Sequence, residues 1–279
     1  MQHQLLIGYT DRKTFLNRLS GSTKLLGFIG LSIIGMMTYD TRYLIGIMIF
    51  SLILFHFSKI KFHEISVVVS VIIGFSVLNL IMVYIFAPHY GVTIYGPEHL
   101  LLGSNQHYFN LTAEQLFYEF NLLLKYTFAV PLALIFLMTT NPSEFAASLN
   151  KIGISYRISY SVAIALRYIP DVQNDYRTIS LAQQARGFEL SKKATLTTRI
   201  RGGIQILLPL IFSSLDRIEI ISQAMELRRF GKGKHRTWYR AQKFQWRDYL
   251  ALVIVLFLIL LGIAGFKLNG GRFWNPFKN

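Results

Sequence analysis

Five stretches of the chain are apolar on every side of a helix rather than on one face. Leu25–Tyr39 and Tyr43–Phe57 are the shorter two, with Asp40-Thr41-Arg42 as a tight turn between them. Ile65–Ala87 and Asn121–Thr139 are longer, the second with Pro131 inside it, and Tyr249–Phe266 carries no charge at all. A bilayer span takes roughly 20 mostly apolar residues, with a range of about 17–25. The pattern therefore predicts five transmembrane helices. Pro131 does not count against its span, because neighbouring helices can satisfy the freed carbonyl.

Between Thr140 and Arg247 the pattern changes. Arg157, Arg167, Arg199 and Arg201 interrupt it, and its most apolar run, Ile204–Leu215, is too short for a span. Amphipathic helices fit better. Asn141-Pro142-Ser143-Glu144 reads as a helix start, with Asn141 as cap, Pro142 at the first helical position and Glu144 at the positive end of the dipole. That helix is expected to end near Gly153. A second is expected from about Ser155 to Pro170. Asp171 then caps a third, with Val172, Tyr176 and Ile179 as its apolar stripe and Gly187 as the left-handed residue that ends it. A long helix from about Thr195 to Arg229 follows, with Pro209 as a kink, a stripe at Ile218, Ile221 and Met225, and Gly231 and Gly233 beyond its end. The loop from Tyr90 to Pro97 alternates and closes on Gly-Pro, which predicts a small hairpin.

Composition reinforces the membrane reading. Hydrophobic residues make up 52% of the 279 and charged residues only 15%, against about 25% charged in an ordinary soluble domain. The net charge of +15 suits nucleic acid, anionic lipid or acidic protein partners, and its distribution favours the membrane. Arg12, Lys13, Arg18 and Lys24 precede the first span, and Lys59 and Lys61 lie between the second and third. The loop 88–120 has no Lys or Arg, whereas 141–248 holds 18 of the 29 basic residues. By the positive-inside rule this predicts a multi-pass membrane protein with a cytoplasmic N-terminus. Met1–Ser20 lacks the apolar core of a signal peptide.

The same composition narrows the chemistry. The chain has no cysteine, which rules out a disulfide framework, a thiolate zinc site, an iron–sulfur cluster and a cysteine nucleophile. His89, His99 and His107 match no compact ligand spacing and read as solvated loop histidines, so no metal site is assigned. No G-x-x-x-x-G-K-[ST] phosphate loop is present, and Gly202-Gly203 follows no strand that would make it a dinucleotide fingerprint.

The two long amphipathic helices end alike. Ala182-Gln-Gln-Ala-Arg186-Gly-Phe188 and Ala224-Met-Glu-Leu-Arg228-Arg-Phe230 share Ala-x-x-x-Arg-x-Phe. Residues four apart lie on one helix face, so a small residue admits a close surface while the guanidinium one turn on can take a carboxylate bidentately. The alternative is a pair of ordinary helix ends whose cations are favoured by the dipole.

Four stretches carry a resemblance to a known family: FLNRLSGSTKLL, TTNPSEFAASLNKIGISYRISYSVAIALRYIP, AQQARGFEL and AMELRRFGKGKHRTWY. Together they resemble the transmembrane coupling subunit of energy-coupling factor (ECF) transporters, the EcfT/CbiQ family. The resemblance implies an all-α polytopic membrane protein with about five transmembrane helices and a cytoplasmic helical coupling region between the fourth and fifth spans. Its parts would be a four-span segment over 1–140, coupling helices over 141–247 and a last span with its tail over 248–279. It also implies a non-enzymatic scaffold without cofactor. The scaffold would bind two ATP-binding cassette ATPase subunits and a small substrate-binding membrane subunit for uptake of a micronutrient, either a vitamin or a metal ion. In that family two helices end in Ala-Arg-Gly motifs that dock on the ATPases. The implied coupling residues are Ala182, Ala185, Arg186, Gly187 and Phe188 on the first helix end, and Ala224, Met225, Arg228 and Phe230 on the second. The first motif is intact as Ala185-Arg186-Gly187. In the second, Leu227 stands in place of alanine and Arg229 in place of glycine, with Gly231 available for a later turn.

Other classes fit less well. An integral membrane enzyme calls for ionisable groups clustered at membrane depth, and the longer spans offer only Asn79 and Lys125. A self-sufficient channel or carrier calls for intramembrane charges or broken helix pairs. For a nucleic-acid binder, the basic residues are interleaved with apolar helix stripes and show no base-reading motif, so no nucleic-acid partner is assigned. Positive-inside bias and contact with the lipid bilayer account for most of the charge.

Overall fold

A computed structural model describes residues 14–96, 98–102, 110–187, 196–233, 237–238 and 242–277. In chain order the elements are α1 (Gly21–Met37), α2 (Thr41–Phe57), α3 (Phe62–Phe86), α4 (Tyr90–Tyr95), β1 (Leu100–Leu102), β2 (Leu111–Thr112), α5 (Ala113–Thr139), α6 (Pro142–Lys151), α7 (Tyr156–Ala185), α8 (Leu196–Leu227) and α9 (Trp246–Leu268). They form two compact units, Met1–Asn141 with Gln242–Asn279, and Pro142–Ala241. The chain is an all-α polytopic membrane protein. Ile65–Phe86, Ala113–Thr139 and Trp246–Leu268 are each long and apolar enough to cross a bilayer, and α1 and α2, at 17 residues each, sit at the lower end of the range for a span.

The first unit is organised around α5. Leu124, Phe128 and Leu132 of α5 meet Leu31 of α1 and Leu44 and Ile47 of α2 in a buried cluster. Between helices in lipid the attraction comes from close packing rather than from expelling water, so small residues mark the contacts. Gly35 of α1 is one: a Cβ there would collide with the ring of Phe128, which is fully buried. Gly27 and Gly30 likewise face Val255 and Ile259 of α9. The outer faces of α3 and α9 stay apolar and uncovered, with Val71 and Phe75 each 67% exposed, as lipid-facing surfaces require.

Two aspartates fasten α9 along α1. Asp248, in the first turn of α9, accepts hydrogen bonds from the Ser20 amide (2.7 Å), the Thr23 hydroxyl (2.9 Å) and the Gln245 amide (2.8 Å). At the far end Asp40 caps α2 by accepting from the Arg42 amide (3.1 Å), and it also accepts from Asn269 Nδ2 just past α9 (2.7 Å). Bonding at both ends fixes α1 and α9 as parallel neighbours. Burial would raise the Asp40 pKa, but its bonds to Arg42 and Asn269 outweigh that and hold the carboxyl below the usual carboxylate range.

The polar groups inside the spans are also tied up in the fold. The Tyr126 hydroxyl donates to Asn79 Oδ1 (2.6 Å), and Lys125 Nζ donates to the Met36 carbonyl (2.8 Å) while lying over the Tyr39 ring. Lys24 Nζ donates to the Thr139 carbonyl (2.8 Å).

Two local expectations are corrected. Residues Tyr90–Tyr95 form the helix α4 rather than one arm of a hairpin, and the hairpin is made by β1 and β2 instead. Gly91 and Tyr95, one turn apart, are both buried, and the Gly91 amide donates to Gln115 Oε1 (2.9 Å). Contact with the start of α5 therefore selects the helix over the alternating pattern. The second correction concerns Pro170, which lies inside α7 rather than ending a helix, so Asp171 caps nothing. Arg217 of α8 braces both sides of that proline: it bonds Asp175 (2.6 Å), pairs with Asp171 (3.8 Å) and lies over the Tyr168 ring.

Candidate functional site

Within the second unit α7 and α8 form an antiparallel hairpin. Gln183 Nε2 donates to the Gln205 carbonyl (3.3 Å), Arg217 meets Asp175, and Tyr160 meets Phe230. The C-terminal tips of the two helices therefore point to opposite ends of the hairpin. With a rise of about 1.5 Å per residue, the 26 residues from Tyr160, beside the α8 tip, to Arg186 place the two tips on the order of 40 Å apart.

Both tips are built on the same backbone plan. After α7 the Arg186 amide donates to the Ala182 carbonyl (3.2 Å), the Gly187 amide to the Gln184 carbonyl (2.9 Å), and Gly187 takes φ +89°. After α8 the Arg228 amide donates to the Ala224 carbonyl (3.3 Å), and Arg229, at φ +54°, donates to the Glu226 carbonyl (2.9 Å). The Phe230 amide then closes back on the Met225 carbonyl (2.9 Å). This pair of bonds is the Schellman arrangement, in which one left-handed residue after the last turn satisfies the final carbonyls. Arg186 and Arg228 thus occupy equivalent places. The turn after α8 is made at Arg229 itself, and Gly231 (φ +90°) adds a second positive-φ residue beyond it.

The surroundings of the tips differ. Ala182, Ala185, Arg186 and Gly187 are all exposed, and a Cβ on Gly187 would meet open space. Phe188 lies outside the described residues. The α8 tip is instead latched to the start of α7. Arg157 Nη2 donates to the Gly231 carbonyl (2.8 Å), and the Phe230 ring contacts Tyr160 and Tyr156, with centroids 4.7 and 5.7 Å away. Trp238 extends the latch, meeting Tyr160 with its ring and donating from Nε1 to Asn150 (3.1 Å).

A cavity of about 230 Å³ opens beside this latch between α7 and α8. Ala224, Met225, Arg228 and Phe230 all line it, together with Tyr160, Arg167 and Tyr168. The structure therefore gathers the second group of sequence-predicted residues around one space, while the described members of the first group, Ala182, Ala185, Arg186 and Gly187, are exposed. Sequence reasoning missed the α7 wall. Its signal was present: Tyr160, Ile164, Arg167 and Tyr168 are spaced to share one helix face.

Elsewhere, His99 is bound rather than merely solvated. Its Nδ1 lies 2.6 Å from Oε1 of the buried Glu114, and its ring stacks on Phe277. His107 lies outside the described residues. Among the described residues no three His, Asp or Glu side chains come together as a metal site.

Apolar spans packed through glycines, with a hairpin of amphipathic helices inserted in sequence between the last two, define a polytopic helical membrane protein. The sequence profile of the CbiQ family, described as cobalt transport protein, matches residues 12–239, and the chain belongs to that family. Relatives at full length include the energy-coupling factor transporter transmembrane protein EcfT of Lactococcus lactis subsp. cremoris. It is 25% identical over 277 residues, covering 96% of this chain and all of the relative. The protein of the same name from Staphylococcus aureus is 28% identical over 267 residues, covering 92% of this chain and 95% of the relative. That of Streptococcus equi subsp. equi is 34% identical over a shorter stretch of 115 residues, 41% of each chain.

Proposed function

We propose that this chain is the non-catalytic transmembrane scaffold of an ECF-type importer. It couples two ATP-hydrolysing subunits to a small substrate-binding membrane subunit that takes up a vitamin or a metal ion. In this reading it sits in a prokaryotic plasma membrane with its N-terminus and the unit 142–241 in the cytoplasm. ATP-driven closure of the two ATPases moves the α7 and α8 tips, and that motion reorients the substrate-binding subunit.

The observation that carries the reading is the pair of equivalent arginine-tipped helix ends facing opposite ways along one hairpin. Two tips on the order of 40 Å apart suit two separate partners better than one. The names of the full-length relatives support the same class.

The test is substitution at the tips. An arginine that only complements a helix dipole contributes about 0.3–1 kcal/mol, whereas truncating one member of a buried interfacial charge pair costs about 2–5 kcal/mol. Arg186→Ala or Arg228→Ala should leave membrane insertion intact but weaken co-purification of the ATPases and substrate uptake in vesicles. The double change should nearly abolish both, and Arg229→Ala should be milder than Arg228→Ala. Full activity of the double variant would reduce both tips to ordinary helix ends.

A further inference from the structure

We propose that the first unit holds one anionic phospholipid, with an acyl chain in the groove between α2, α3 and α5 and its phosphate at the turn that opens α3. The groove follows one face of α3 from Phe62 through Val69 and Ile72 to Val77, and α5 forms the opposite wall from Leu134 back to Leu123. Contacts hold α3 to α5 toward both ends of it. Ile65 is buried against Leu134 and Met138 at one end, and near the other the Tyr126 hydroxyl donates to Asn79. Between those contacts the two helices flank a space of about 290 Å³. The inference rests on the polytopic membrane fold and not on the coupling role.

The lining selects hydrocarbon over a polar ligand. Its three hydroxyls all donate within the fold: Ser76 to the Ile72 carbonyl (2.8 Å), Thr127 to the Leu123 carbonyl (2.8 Å) and Tyr126 to Asn79 (2.6 Å). No charged residue is among the described residues that line it. The shape selects a chain over a helix. At a rise of about 1.5 Å per residue, Phe62 to Val77 covers about 22 Å, more than half of the roughly 30 Å hydrocarbon core. Spread over that length, about 290 Å³ leaves a cross-section on the order of 13 Å². That admits one hydrocarbon chain, whereas a helix with its side chains is about 10–12 Å across. The charge lies at one end only. Lys61 directly precedes Phe62 and is exposed, and the stretch 58–64 carries Lys59, Lys61 and His63 against the single acid Glu64. Basic residues beside a bilayer surface favour anionic lipid. Past the other end, Val77–Phe86 has no charge and 88–120 has no Lys or Arg, so the phosphate has one favourable end and the chain one direction.

The test is native mass spectrometry of the full chain offered equal amounts of palmitoyl-oleoyl phosphatidylglycerol and phosphatidylcholine. The parent should retain one phosphatidylglycerol in preference to phosphatidylcholine. Ile72→Trp from α3 and Thr127→Trp from α5 each fill the groove and should lower that retention about fivefold or more, whereas Val71→Trp, on the exposed face of α3, should keep it. Lys61→Gln should reduce the preference for phosphatidylglycerol roughly fivefold, the effect of one lysine at a charged lipid surface, and leave phosphatidylcholine retention unchanged. Melting temperatures check that each variant folds. The unaltered chain gives a second readout: phosphatidylglycerol with a photoreactive diazirine on its palmitoyl chain should crosslink to groove residues such as Val69 and Val130. Crosslinks confined to outward residues such as Val71 and Phe75 would overturn the inference. So would parental retention in both filling variants, equal retention of the two lipids by the parent, or a loss in Val71→Trp as large as in the filling variants. If the isolated chain retains the lipid but the complex purified with its partner subunits does not, a partner covers the groove and the inference is wrong.

Discussion

Arg229 stands after α8 in the left-handed position that Gly187 holds after α7. For a residue with a Cβ that conformation costs roughly 1–2 kcal/mol, and glycine adopts it freely. The α8 tip keeps its turn because Arg157 and the aromatic pair Tyr156 and Tyr160 hold Gly231 and Phe230 from the α7 side. The α7 tip shows no such latch among its described residues and relies on glycine. Gly187→Ala should therefore fray the end of α7, while Arg229→Gly should tighten the end of α8. Hydrogen exchange on the detergent-solubilised chain is the readout. A gain of about 1 kcal/mol corresponds to roughly fivefold slower exchange, expected at the Phe230 amide in Arg229→Gly. Faster exchange at Phe230 in that variant would show that the arginine stabilises the turn.

Gly35 and Phe128 set the distance between α1 and α5. The ring is fully buried, so it has no free space into which to retreat from an added methyl group. Overpacking of this kind typically costs about 1–3 kcal/mol. Gly35→Ala should lower the melting temperature in detergent, and Phe128→Leu in that background should recover part of the loss although it is destabilising alone. Additive losses in the double variant would place the strain somewhere other than this contact.

How much of this was legible in the sequence depends on the range of the forces involved. The spans could be read because being apolar on all sides is a local property, and the Gly187 cap because left-handed turns select glycine. The fate of Pro170 could not be read. What carries α7 through it is Arg217, more than forty residues later, touching Tyr168, Asp171 and Asp175. The stretch Val92-Thr93-Ile94 alternates over too few residues to separate strand from helix, and contact with Gln115 made the choice. Arg167 looked like an interruption of an apolar stripe until α8 supplied the other wall of its cavity.

Asp40 gives the fold an acid limit. Its ionised carboxylate holds Arg42 and Asn269, and its pKa is depressed in the folded state. A depressed carboxyl stabilises the fold fully above its unfolded value, about 3.9, and that contribution is lost as pH falls through the lower folded value. The melting temperatures of the parent and of Asp40→Asn should therefore differ by a constant amount from pH 8 to about pH 5. Below about pH 4 the two should converge. A gap that widens on acidification would mean that Asp40 is protonated in the folded protein at neutral pH.

Orientation in the membrane follows from where the cations lie, and the absence of cysteine makes it simple to test. Glu98 precedes β1 in a stretch without Lys or Arg, and Lys151 ends α6 at the start of the basic region. Both are exposed, and α5 is the one described helix of spanning length between them. If α5 crosses the bilayer once, the two positions face opposite compartments, and the positive-inside rule places Lys151 in the cytoplasm. Glu98→Cys in intact cells should react with a membrane-impermeant maleimide, whereas Lys151→Cys should react only after permeabilisation. Replacing one lysine of the 18 basic residues in 141–248 leaves the charge asymmetry in place, so the label reports the native orientation. Labelling of both positions from outside would mean that α5 does not cross. The reverse pattern would put the arginine-tipped hairpin outside the cell, beyond the reach of any ATP-hydrolysing partner.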